Sequence, residues 1–136
     1  AELLVARCEA LLAAGDVASA VDAVTQLQGA ARDSVRLAAW ATCFDGQLSM
    51  LVHPERLDDV EAAVAVAAEK LAKLHDAAGE AKAHTVRAAC LARLGRIGDC
   101  EITLDNALTA ARRAREHRRV NAVLAGAPPA PAPPSA

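Results

Sequence analysis

The side chains able to do chemistry in this chain are few and scattered. Cysteine occurs at Cys8, Cys43, Cys90 and Cys100, and histidine at His53, His75, His84 and His117. Zinc sites need cysteines and histidines in short, paired spacings, and no Cys-x-x-Cys or Cys/His pair of that kind occurs. Asp58, Asp59 and Glu61 form the tightest acidic group. Their place at the start of a helical pattern suits them to the helix dipole rather than to metal binding. No Ser/His/Asp order, glycine-rich phosphate loop or paired-carboxylate arrangement is present. The sequence therefore predicts no catalytic residue, no metal site, no cofactor and no enzyme activity. Disulfides are not expected, because the cysteines fall on separate helical segments, and thiols there act as small apolar groups.

One further group carries charge. Arg112, Arg113, Arg115, Arg118 and Arg119 lie within eight residues. Residues 1–110 hold 10 basic and 16 acidic side chains, a balance of −6, and residues 111–136 hold 5 and 1, a balance of +4. Arginines alone can meet phosphates. With no aromatic platform or helix-turn-helix signal beside them, an acidic protein surface is the expected counterpart and nucleic acid is not.

The elements that must position these groups are helical. Alanine supplies 36 of the 136 residues, and the aromatics are Trp40 and Phe44 alone. Ala and Leu favour helix, while strands lack their usual aromatic supply. The spacing predicts helices over about 2–14, 17–31, 34–52, 56–76, 80–94 and from 98 onward. Gly15, Pro54, Gly79 and Gly95 act as breaks. The last helix either runs unbroken to Leu124 or breaks near 114–117. No apolar run is long enough to span a bilayer, and no signal-peptide pattern is present. A cytoplasmic location is expected. The alanine at position 1 reads as a processed start or, in preference, as the start of a domain within a longer protein.

Three segments superimpose at an offset of 40 residues. Cys8, Leu48 and Ala88 share a column, as do Leu11, Leu51 and Leu91. Further columns are Val17, Leu57 and Ile97; Ala20, Val60 and Cys100; Val24, Val64 and Leu104; Leu27, Ala67 and Ala107. A fixed period of this size points to an α-solenoid. The expected architecture is all-α, three antiparallel helix pairs (units about 1–32, 33–78 and 79–112) with a capping helix over 113–125. An Ala/Pro-rich tail or linker follows over 126–136. The three leucines at 11, 51 and 91 are expected to be buried alike.

On these columns the chain resembles tetratricopeptide repeats. Cys8-x-x-Leu11, Leu48-x-x-Leu51 and Ala88-x-x-Leu91 are similar to the small and large pair of the first helix. Ala20-x-x-x-Val24-x-x-Leu27 and its counterparts at 60–67 and 100–107 are similar to the second. A period of 40 instead of 34, and aliphatic residues in place of aromatics, depart from the family pattern. Longer units of this kind resemble those of large bacterial ATPase, cyclase and LuxR-type regulators. The resemblance implies a protein-interaction scaffold within a signalling or transcription-regulatory protein. Its first helices would line a concave groove carrying Glu9, Thr42, Asp45, Ser49, His53, Lys82, Thr85 and Arg93. The partner would be a protein, a peptide or a neighbouring domain of the same chain. A ligand-sensing effector domain and a homo-oligomerisation module, with a homodimer as its partner state, are the alternatives.

Overall fold

A computed structural model describes residues 1–126. Among them are six α-helices: α1 (Glu2–Ala14), α2 (Val17–Ala30), α3 (Val35–Val52), α4 (Leu57–Lys73), α5 (Ala77–Arg93) and α6 (Ile97–Leu124). A short 3₁₀ turn, Pro54–Arg56, precedes α4. No strand occurs among the described residues, so the chain is all-α there. None of these helices is long and apolar enough to cross a membrane.

Three of the five connections are the same turn. The Gly15 N–H bonds the Leu12 carbonyl and the Asp16 N–H the Leu11 carbonyl. His75 and Asp76 repeat this on Ala72 and Leu71, and Gly95 and Arg96 on Ala92 and Leu91. This paired closure needs a left-handed residue in the turn. Gly15 and Gly95 supply it at φ 75° and 79°, whereas His75 takes φ 56° without being glycine. The break expected at Gly79 therefore lies at His75. Gly79 sits inside the first turn of α5, whose start Asp76 caps by accepting the Gly79 N–H at 2.9 Å. Glycine is required there for closeness. A Cβ would stand 2.8 Å from Leu71 Cδ2 and 2.9 Å from Trp40 Nε1.

Each helix packs on the next in sequence, and α3 also touches α1 and α5. With α1, α2, α4 and α5 around it, α3 buries nine residues, among them Leu37, Trp40, Cys43, Phe44 and Leu48. Gly46 brings α4 close, since a Cβ there would lie 3.0 Å from Val64 and 3.1 Å from Val60. Cys8, Leu48 and Ala88 are buried alike, as are Ala20 with Val60, Val24 with Val64, and Leu27 with Ala67 and Ala107.

The leucine column does not behave as one. Leu91 is fully buried and Leu11 partly buried, but Leu51 is 52 % exposed. Leu11 and Leu91 each lie at the base of a glycine-closed turn. α3 instead leaves through His53 into the Pro54 turn, and its last residues Leu51 and Val52 are left outside. Leu51→Ala should therefore change stability by less than about 0.5 kcal/mol, as an exposed substitution. Leu91→Ala should cost about 2–5 kcal/mol as a core truncation. Urea midpoints of the two variants check the contrast.

The expected separate cap over 113–125 is absent as a helix of its own. α6 runs unbroken for 28 residues, with no Gly or Pro between Gly98 and Gly126 to stop it. Among the described residues it packs on α5 alone, through Thr103, Ala107, Ala110 and Ala114. Its end carries Val120, Val123 and Leu124 into solvent instead of folding them over the last unit. Residues 127–136 of the Ala/Pro tail lie outside the described residues.

Candidate functional site

The residues expected in one groove are divided between two sides of α3. Residues 38, 42, 45 and 49 share one face by helical spacing. Thr42, Asp45 and Ser49 of that stripe look out between α2 and α4, which do not touch. The result is a channel with α3 as its floor. One end is a recess of about 420 Å³ bordered by Arg32, Asp33, Ser34, Val66 and Lys70. The other end is bordered by Arg56, Asp59 and Val60. Thr42 and Ala63 line both recesses, so the channel is continuous. Both cations and carboxylates line it, together with Ala38 and Ala63. The Thr42 hydroxyl donates to the Ala38 carbonyl at 3.0 Å.

Glu9 and Lys82 belong to the opposite side. Lys82 Nζ donates to Glu9 Oε1 at 2.5 Å and to Gln47 Oε1 at 2.7 Å. It also stands 5.0 Å from the centre of the Phe44 ring. Only 13 % of the Lys82 side chain is exposed. A lysine so enclosed ties α1, α3 and α5 together and is not available to a partner. The expectation that it lines an open groove is corrected for that reason: α3 is central, and α1 and α5 converge over its Phe44 face.

The other candidates are dispersed. His53 caps α3 and lies 3.3 Å from Glu55. Thr85 is exposed and donates back to the Ala81 carbonyl at 2.8 Å. Arg93 donates to the Met50 carbonyl at 2.8 Å, satisfying the end of α3 from α5. His84 is partly buried, with Nε2 3.3 Å from Glu80, and Arg113 approaches the same carboxylate at 3.3 Å. Arg112, Arg113, Arg115, Arg118 and Arg119 are all exposed on α6.

The thiols are core material. Cys8, Cys43 and Cys90 are buried, while Cys100 is half-buried. Burial pushes the Cys43 thiol up to about 12 and raises those of Cys8 and Cys90 as well. These three stay neutral at physiological pH and are poor nucleophiles. Among the described residues, no group of three His, Cys, Asp or Glu side chains is placed to hold a metal ion. Glu61, from the acidic group opening α4, takes the Arg87 Nε–H at 2.8 Å and links α4 to α5.

Sequence reasoning missed the polar link at the α3–α5 start. Asp76 Oδ2 accepts from Trp40 Nε1 at 2.7 Å and from Arg36 Nη1 at 3.3 Å. Arg36 also meets Glu2 of α1 at 2.8 Å. The available signal was Trp40 and Phe44, four apart, in a chain with no other aromatic residue. The chain matches no family model, no curated protein and no solved structure.

Proposed function

We propose that this chain is a tetratricopeptide-like interaction scaffold that holds a peptide or helix of a partner protein in the α2–α3–α4 channel. Such modules serve bacterial signalling and transcription-regulatory proteins, and we place the chain in that setting. The observation that carries the reading is the packing order. Each first helix touches the next first helix, α1 to α3 and α3 to α5. The second helices α2 and α4 each lie against two first helices. That is how a repeat passes its apolar face to its successor.

The channel supplies what an extended segment needs: methyl groups for packing, and Arg32, Asp45, Arg56, Asp59 and Lys70 at its walls for register. Rim charges of this kind act on specificity and association rate more than on affinity. No covalent step is involved.

Asp45 and Asp59 are both exposed, and Asp45→Lys with Asp59→Lys should lower the melting temperature by only a few degrees, since reversing the Asp59 charge in the first turn of α4 costs about 1 kcal/mol. Capture of partners from the source cell should fall at least about tenfold, since like charges would now face the bound segment. Undiminished capture of every partner by a folded variant would remove the channel as the binding surface.

A further inference from the structure

α2 and α4 each have two helical neighbours, and each closes its valine column: Val24 and Val64 are buried. α6 has α5 alone. Leu104, the third member of that column, is 46 % exposed. Ile97 and Leu108 are exposed with it, at spacings of seven and four that put all three on one face. This face lies to one side of the Thr103, Ala107, Ala110 and Ala114 stripe that meets α5. An apolar helical seam about 17 Å long, from Ile97 to Leu108, is thus left without a partner among the described residues.

The charges beside the seam say what fits it. The first half of α6 carries Asp99, Glu101 and Asp105 and, from Ile97 to Ala111, no cation. The second half carries five arginines and one acid, Glu116. Among the described residues Glu101 and Asp105 form no ion pair, and neither do Arg112, Arg115 and Arg118. A helix acidic at its start and basic at its end is complementary to itself when reversed. We infer that α6 pairs in antiparallel fashion with α6 of a second copy of this chain, making a two-fold symmetric dimer. Taking Leu108 of each copy against Ala111 of the other sets the register. Ile97 then meets Ala122, Leu104 lies along the stem of Arg115, and Glu101 faces Arg118. Asp105 falls within a turn of Arg112 and Arg115. Flanking charges of this kind set partner choice and orientation in paired helices. The chain's own tail cannot substitute, since residues 127–136 contain only Ala, Pro and Ser and offer no large apolar side chain. The pairing draws on the repeat columns and not on the channel, so the two stand or fall separately.

Sedimentation of the full chain should show a monomer–dimer equilibrium. Glu101→Arg with Asp105→Arg puts arginines opposite the partner's arginines, and Arg115→Glu with Arg118→Glu puts carboxylates opposite the partner's Glu101 and Asp105. Each variant alone should dissociate more readily by roughly a hundredfold or more, because like charges now face each other across the seam. An equimolar mixture of the two should recover a one-to-one heterodimer. All four positions are exposed, and circular dichroism of each variant reports the fold independently of association. Leu104→Gln with Leu108→Gln tests the apolar seam separately and should also yield a monomer. A wild-type chain that is monomeric throughout overturns the pairing. So does a dimer that survives either charge variant, or a mixture that stays monomeric. None of these outcomes alters the channel reading, which partner capture decides.

Discussion

Phe44→Ala should cost about 3–5 kcal/mol of folding free energy, the range for removing a buried aromatic side chain. Phe44 is the largest fully buried side chain in the protein. Its ring stacks on Trp40 with centroids 5.8 Å apart and planes at 29°. The Lys82 ammonium also lies over the ring, 5.0 Å from its centre. Most of the surrounding core is alanine, valine and cysteine, which cannot move far enough to fill the space a phenyl ring leaves. A domain of this size has a total stability of about 5–15 kcal/mol. Phe44→Ala should therefore be partly unfolded on mild warming, while Phe44→Leu, which keeps most of the volume, should lose under about 1.5 kcal/mol. Urea unfolding followed by helical circular dichroism and by Trp40 fluorescence checks both. A loss below about 1 kcal/mol for the alanine variant would mean that Phe44 is not the centre of the core.

The same neighbourhood shows which parts of the fold a sequence can reveal. Helices appear in a sequence as periodicity, so α1, α2, α3 and α4 begin close to where their apolar stripes and caps predict. The column of Cys8, Leu48 and Ala88 is buried in all three helices. α3 is different because four helices surround it, and burial on several sides erases the stripe that periodicity depends on. Lys82 looks like a surface residue by type, and only the convergence of α1 and α5 over Phe44 encloses it. Leu51 looks like core by column, and only the 3₁₀ exit of α3 exposes it. Thr42, Asp45 and Ser49 share one face by helical spacing alone. Which neighbours flank that face is a tertiary fact. The unbroken α6 was legible as an alternative, because nothing between Gly98 and Gly126 interrupts it.

Asp76→Ala should cost about 2–4 kcal/mol through two separable losses. One is the N-cap of α5. Asp76 Oδ1 accepts the Gly79 N–H at 2.9 Å, and removing such a cap costs about 1 kcal/mol. The other is the partner of the Trp40 indole. Trp40 is buried, and its Nε1–H has Asp76 Oδ2 at 2.7 Å. Leaving a buried donor unpaired costs about 1–3 kcal/mol. Arg36 contributes less, because it keeps Glu2 at 2.8 Å when Asp76 is gone. Replacing Trp40 by Phe removes the donor itself. In a Trp40→Phe background, Asp76→Ala should then cost little more than the cap, about 1 kcal/mol. The difference between the two backgrounds, about 1–3 kcal/mol, is the coupling energy of a double-mutant cycle. Asp76→Asn should fall between wild type and alanine, since its single amide oxygen can serve the cap or the indole but not both. Equal costs for Asp76→Ala in the two backgrounds would mean that the indole bond adds nothing and that Asp76 acts as a cap alone. A measurable coupling would identify the Trp40–Asp76 contact as the lock that sets the start of α5 against the start of α3. That lock holds the channel floor in place from behind, so its loss should also loosen the Thr42 face without touching any residue on it.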